Sequence, residues 1–267
     1  MQTIDFIKGI GYEIISFPDG EKHLKINELN RKDTVEIVCR ICNSDDLFLL
    51  MQLSEILNRQ CISVERITIP YLMTMRCDRL FSFEEAYSLR IVADIINSFN
   101  AQIVILVEPH SDKSLRLINA SCPEYVSLDF APDNENIIFC FPDKGAYARY
   151  SYKLHSRFKP IICSKVRNEF DGSLLEFTIE DKGDYKEGMS ICVIDDLCDG
   201  GGTFIGIGNL LKEELDPENL ILNVTHAIQQ KGLEKVADVY DEVNITNSYK
   251  DWQDEKLPIN INVLRYY

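Results

Sequence analysis

Short apolar runs rich in β-branched residues alternate along this chain with longer stretches in which apolar residues return every three or four positions. The runs fall at residues 35–39, 62–69, 103–107, 137–141, 161–164, 191–194, 220–225 and 259–264, and their length and composition predict strands. Amphipathic helices are predicted between them at residues 45–59, 83–99, 146–155 and 203–214. Strand and helix alternating with short loops imply an α/β fold whose sheets are largely parallel and covered on both faces. The pattern runs twice, with the change near residues 128–136, and Pro132-Asp133-Asn134-Glu135 reads as a linker. The expected domains are therefore residues 1–131 and 132–267.

Composition narrows the class. A chain of 267 residues, 45% hydrophobic and 27% charged, can bury one large core or two smaller ones, which excludes disorder. No basic and apolar leader and no apolar run of about 18 residues is present, so a cytoplasmic protein with no membrane partner is expected. The net charge of −15 repels nucleic-acid backbone, and no basic patch overrides it. Nine cysteines are scattered through apolar segments, as reduced buried thiols are. Cys39 and Cys42 form the only CxxC; without a second ligand pair nearby, they read as strand core and not as a zinc site.

The densest chemistry lies in ICVIDDLCDGGGTF, residues 191–204. After a strand, successive glycines let backbone N–H groups converge on an anion. Thr203 is placed to cap the following helix, whose positive end adds to the pull on a phosphate. Asp195 and Asp196 cannot bind phosphate directly, but carboxylates accept hydrogen bonds from sugar hydroxyls or hold magnesium. The combined ligand is a sugar phosphate, seated by Asp195, Asp196, Asp199, Gly200, Gly201, Gly202 and Thr203. An acidic turn with glycines for tight packing is the bland alternative. The apolar strand before and the helix after the loop weigh against it.

That stretch resembles the phosphoribosyl diphosphate signature of the type I phosphoribosyltransferase fold. Other segments resemble the ribose-phosphate diphosphokinases in particular. Ser16-Phe17-Pro18-Asp19-Gly20-Glu21 is similar to their FSDGE segment, and residues 69–79, IPYLMTMRCDR, to their IPYFGYARQDR. Val107-Glu108-Pro109-His110 stands where they have DLH, and Phe141-Pro142-Asp143-Lys144-Gly145 where they have SPDVGG. Cys163-Ser164-Lys165-Val166-Arg167 is similar to their mobile KRR loop, and Val224-Thr225-His226-Ala227 to their VTHG. The resemblance implies two tandem phosphoribosyltransferase-like domains, each a largely parallel sheet flanked by helices. It also implies an enzyme that moves a diphosphate from ATP to the anomeric hydroxyl of a ribose phosphate.

The resemblance further implies roles. Lys165 and Arg167 would neutralise transition-state charge from a closing loop, while Phe17, Asp19, Glu21, Arg76, Asp78 and His110 would bind ATP. His110 and Asp143 would hold the nucleotide's magnesium, and the Phe17 segment would complete a neighbouring subunit's site, making a homo-oligomer. Arg149 is expected to be a surface helix arginine, and Trp252 and Tyr147 either line a pocket or pack. Cys77, Leu80 and Ala227 depart from the family pattern. So does Gly200, where the family's DTGGT has threonine; its absence opens space beside the phosphate. With the short C-terminus, this favours ADP-ribose as acceptor, as in a shortened branch that serves NAD rebuilding, with ribose 5-phosphate as the alternative. A plain phosphoribosyltransferase and a non-catalytic relative are the other readings. The first leaves the N-terminal half unexplained, and relatives of the second kind usually lose the lysine or the acid pair.

Overall fold

The computed structural model describes every residue except 30–33, 81, 130–135, 153, 155–157, 168–173, 253–254 and 267, and for residues 166–167 and 174–175 the backbone alone. The expected linker at Pro132–Glu135 lies outside the described residues. The chain forms two compact units, Met1–Glu124 and Tyr125–Tyr266.

The first unit runs β1 (Gln2–Asp5), β2 (Tyr12–Ser16), β3 (Lys22–Ile26), β4 (Val35–Val38), α1 (Ser44–Arg59), β5 (Val64–Ile69), α2 (Ser88–Asn97), β6 (Ile103–Val107), α3 (Asp112–Leu117) and β7 (Ser121–Glu124). Five of its strands make a parallel sheet in the order β1-β4-β5-β6-β7. Helix α1 starts at a capping box, with Asn43 accepting from the amides of Asp45 and Asp46 while the Asp46 carboxylate reaches back to the Asn43 amide. It buries Leu49, Leu50, Leu53 and Leu57 along one stripe. Helix α2 is shorter than its pattern suggested. Its buried residues are Leu89, Val92, Ala93 and Ile96, and Phe83, counted into the stripe from sequence, is fully exposed. Strands β2 and β3 form a separate antiparallel hairpin, joined by a tight turn at Phe17–Glu21.

The second unit runs β8 (Ile137–Phe141), α4 (Lys144–Tyr150), β9 (Ile161–Arg167), β10 (Leu174–Asp181), β11 (Ser190–Cys198), α5 (Gly202–Leu215), β12 (Leu220–Ala227), α6 (Gln230–Ala237), β13 (Glu242–Thr246) and β14 (Ile261–Leu264). Its seven-stranded sheet has the order β10-β9-β8-β11-β12-β13-β14, parallel except for β10 against β9. Both faces of the central strands are apolar: Ile191 and Val193 join one cluster with Phe204, Ile207 and Leu211 of α5, whereas Cys192 and Ile194 join another with Ala146 and Tyr150 of α4. From β8 the chain turns to β9 on one side, and from β11 to β12 on the other. Such a reversal leaves a crevice at the carboxyl ends of the two middle strands, where ligands bind in open α/β sheets.

All nine cysteines are free thiols. Burial holds the Cys39 thiol far above its usual range and, with Asp46 nearby, pushes Cys42 up to about 12. No described helix is long and apolar enough to cross a membrane.

Candidate active site

The crevice between β8 and β11 collects the acidic residues singled out from sequence. Asp143 follows β8 directly and caps α4, its Oδ1 accepting the Ala146 amide at 2.9 Å. Its Oδ2 lies 3.3 Å from Lys165 Nζ. Burial would raise the Asp143 pKa, but the Ala146 amide, Lys165 and Arg149 outweigh it and hold the carboxyl below its usual range. Asp195 and Asp196 sit in the carboxyl-terminal half of strand β11, and the glycine loop leaves from Cys198.

Arg149 is where the structure departs most from the sequence expectation. It is no surface arginine. Its side chain is 10% exposed, and Nη1 donates to Asp195 Oδ1 at 2.9 Å and to Asp196 Oδ1 at 2.6 Å. Burial, and then the neighbouring Asp196 charge, push Asp195 up to about 7 in spite of Arg149. The helix register that brings Arg149 inward places it six residues after the cap Asp143. The available signal was the acid pair itself, since two adjacent carboxylates at a buried strand end demand a cation.

The loop is held from behind. Gly201 has φ 78°, a left-handed conformation, and a Cβ there would meet Val236 Cγ2 at 2.7 Å and the Gly232 carbonyl oxygen at 2.8 Å. Gln229 Nε2 donates to Asp199 Oδ1 at 2.8 Å, and Gly232 lets α6 approach the Asp199 carbonyl. Gln229 and Gly232 thus support the loop. Thr203 does not cap α5, as had been expected. The helix starts one residue earlier, its N-cap is Gly201, and no side chain caps it. The first amides of α5 therefore have no intrahelical partner. Around Gly200, by contrast, a Cβ would touch nothing within 4 Å.

Lys165 and Arg167 lie on β9 and not in a loop. Strand β9 continues through Arg167 because β10, unseen in the sequence, pairs with it antiparallel, Phe177 opposite Lys165. The side chain of Arg167 lies outside the described residues.

In the first unit the nucleotide candidates occupy two places. Phe17, Asp19 and Glu21 are exposed on the β2–β3 turn, where Glu21 N donates to Asp19 Oδ1 and Phe17 is 45% exposed. Arg76 and Asp78 follow β5, and His110 follows β6, at the carboxyl ends of adjacent strands. Arg76 is exposed, whereas Asp78 is buried. Burial raises the Asp78 pKa, but Ser111, Arg79 and Lys113 outweigh it and keep it ionised. Tyr87 Oη also donates to the Asp78 carbonyl, which ties the Arg76 loop to the start of α2.

Among the described residues, no group of three or more His, Cys, Asp or Glu is arranged to hold a metal.

The fold and site define an α/β protein of the phosphoribosyltransferase type, built as two such domains in tandem. Within that class the chain is similar to proteins named ribose-phosphate pyrophosphokinase. It is 26% identical over 256 residues to the ribose-phosphate pyrophosphokinase of Pyrococcus furiosus, covering 88% of this chain and 85% of that protein. It is 27% identical over 244 residues to that of a Marinomonas species, covering 87% and 76%. The crystal structure of phosphoribosylpyrophosphate synthetase from Mycobacterium smegmatis superposes with a TM-score of 0.77 over 95% of this chain and 85% of that one, at 21% identity. No family model matches the chain.

Proposed function

We propose that the chain transfers the β,γ-diphosphate of magnesium ATP to the anomeric hydroxyl of ribose 5-phosphate. The anomeric oxygen attacks the β-phosphorus, the bond from that phosphorus to the α–β bridging oxygen breaks, and AMP leaves. The observation that carries this reading is the acid pair and phosphate loop meeting Asp143, within reach of Lys165, at one switch point of the second unit. Asp195 and Asp196 accept the ribose hydroxyls, and residues 199–203 with the start of α5 seat the 5-phosphate. Lys165 supplies positive charge where the transferring phosphates gain negative charge, with Arg167 on the same strand beside it. In the first unit, Arg76 and His110 take the nucleotide phosphates, Asp78 holds their loop, and Phe17, Asp19 and Glu21 serve a neighbouring copy. In the second unit, Asp143 would hold magnesium carried by ATP, which would supply neutralisation of the phosphate charge.

One observation favours a second acceptor. The open space at Gly200 leaves room beside the 5-phosphate for a substituent, so ADP-ribose is the alternative and its product would feed NAD rebuilding. The test is AMP release from magnesium ATP with each acceptor offered separately at equal concentration, products identified by mass. AMP chiefly with ribose 5-phosphate supports the main reading, and AMP chiefly with ADP-ribose supports the alternative. Silence with both overturns the diphosphokinase assignment.

A further inference from the structure

Arg149 does something that the phosphate-loop motif does not specify. Asp195 and Asp196 are 15% and 2% exposed, and adjacent carboxylates so buried resist ionisation together. A sugar hydroxyl that donates is held best by an ionised carboxylate, whose oxygens only accept. Arg149 resolves the conflict at its own expense, since burying a guanidinium is costly and the solvated side of a short helix was open to it. A triad of two acids and one base also keeps an excess negative charge, which a purely structural core would replace with apolar groups. Its Nη1 bridges the two carboxylates, meeting Oδ1 of each.

The geometry points to Arg149 as a positioning residue that fixes both carboxylates, through their Oδ1 atoms, as acceptors for the ribose hydroxyls. The inference rests on the acceptor-binding role given to the acid pair above. Helix α4 makes the arrangement economical. Its cap Asp143 faces Lys165 and its last turn carries Arg149, so a seven-residue helix sets both the phosphate-side charge and the hydroxyl acceptors.

The experiment uses the full chain with Arg149→Met and Arg149→Lys. Steady-state AMP release gives separate KM values for ATP and for the acceptor, and calorimetry measures direct binding of ribose 5-phosphate and of ADP-ribose. Arg149→Met is expected to raise acceptor KM and weaken acceptor binding about 10- to 100-fold, the loss of a charge-assisted contact, with the ATP KM within about twofold. Arg149→Lys restores part of the loss, because a compact ammonium supplies the charge but not the planar fork. If Arg149→Met does not fold, Arg149→Met with Asp195→Asn removes a negative charge along with the positive one. That double variant is expected to bind acceptor more weakly than Asp195→Asn alone, since Asp196 then loses its Arg149 contact as well. Unchanged acceptor KM and binding in Arg149→Met, or in Arg149→Lys should Met unfold, overturns the inference and leaves the diphosphokinase reading standing. A wild type that binds acceptor without releasing AMP, with binding lost in the variants, overturns that reading and supports the inference. A wild type that neither binds nor turns over either acceptor overturns both.

Discussion

Replacing Gly201 with alanine tests whether the phosphate loop is shaped by the helix behind it. At φ 78° an alanine pays about 1–2 kcal/mol for the left-handed conformation. Its Cβ would also overlap Val236 Cγ2 and the Gly232 carbonyl, and overpacking of this kind costs about 1–3 kcal/mol. Together the change should destabilise the second unit by about 2–5 kcal/mol. The chain contains one tryptophan, Trp252, buried in the same apolar cluster as Val236. Urea denaturation followed by tryptophan fluorescence therefore reports on the unit that holds the loop. Gly200→Ala is the control, because a Cβ there meets nothing and the backbone is not left-handed. It should be neutral or up to about 1 kcal/mol stabilising. Equal stability of the two variants would refute the claim that α6 sets the loop's shape.

Gly200→Thr, filling the open space, should depress turnover with ADP-ribose more than with ribose 5-phosphate; equal loss with both would remove the argument for the larger acceptor. Lys165→Ala should lower AMP release by about 10²–10³-fold with the Trp252 unfolding midpoint nearly kept, since the side chain bridges to Asp143 and lies outside the apolar clusters. Because Asp195 titrates near 7, acceptor KM should fall as pH rises through about 7. A carboxyl whose folded pKa is raised binds more protons folded than unfolded between about 4 and 7, so its contribution to stability is present below that window and lost as pH rises through it. Asp195→Asn should flatten the KM profile, measured from pH 6 to 8 with ATP saturating.

Much of the fold was legible because fully buried parallel strands are continuous apolar runs: β6 and β8 have the predicted bounds, and both lie mid-sheet. The hairpin β2–β3 escaped because four of the five β2 residues are exposed, so no alternation marks it. Strand β13, EVNIT, escaped because Asn244 lies on one face bonded to Asn223 and Asn262, polar residues that cut its apolar run. The acid pair and glycine loop were visible as a contiguous motif. Their support was not, since Arg149 and Gln229 reach them from 46 and 30 residues away through tertiary contacts.

Phe177 has one further consequence. It stands opposite Lys165 in the β9–β10 ladder, and its ring presses on Gly206 of α5, where any Cβ would collide with it. The ring works as a pawl. A slip of one residue between β9 and β10 would point every side chain of the sliding strand to the opposite face, and Phe177 seated in the Gly206 notch blocks that slip. The spacing between Lys165 and α5 is thereby gauged by an aromatic ring.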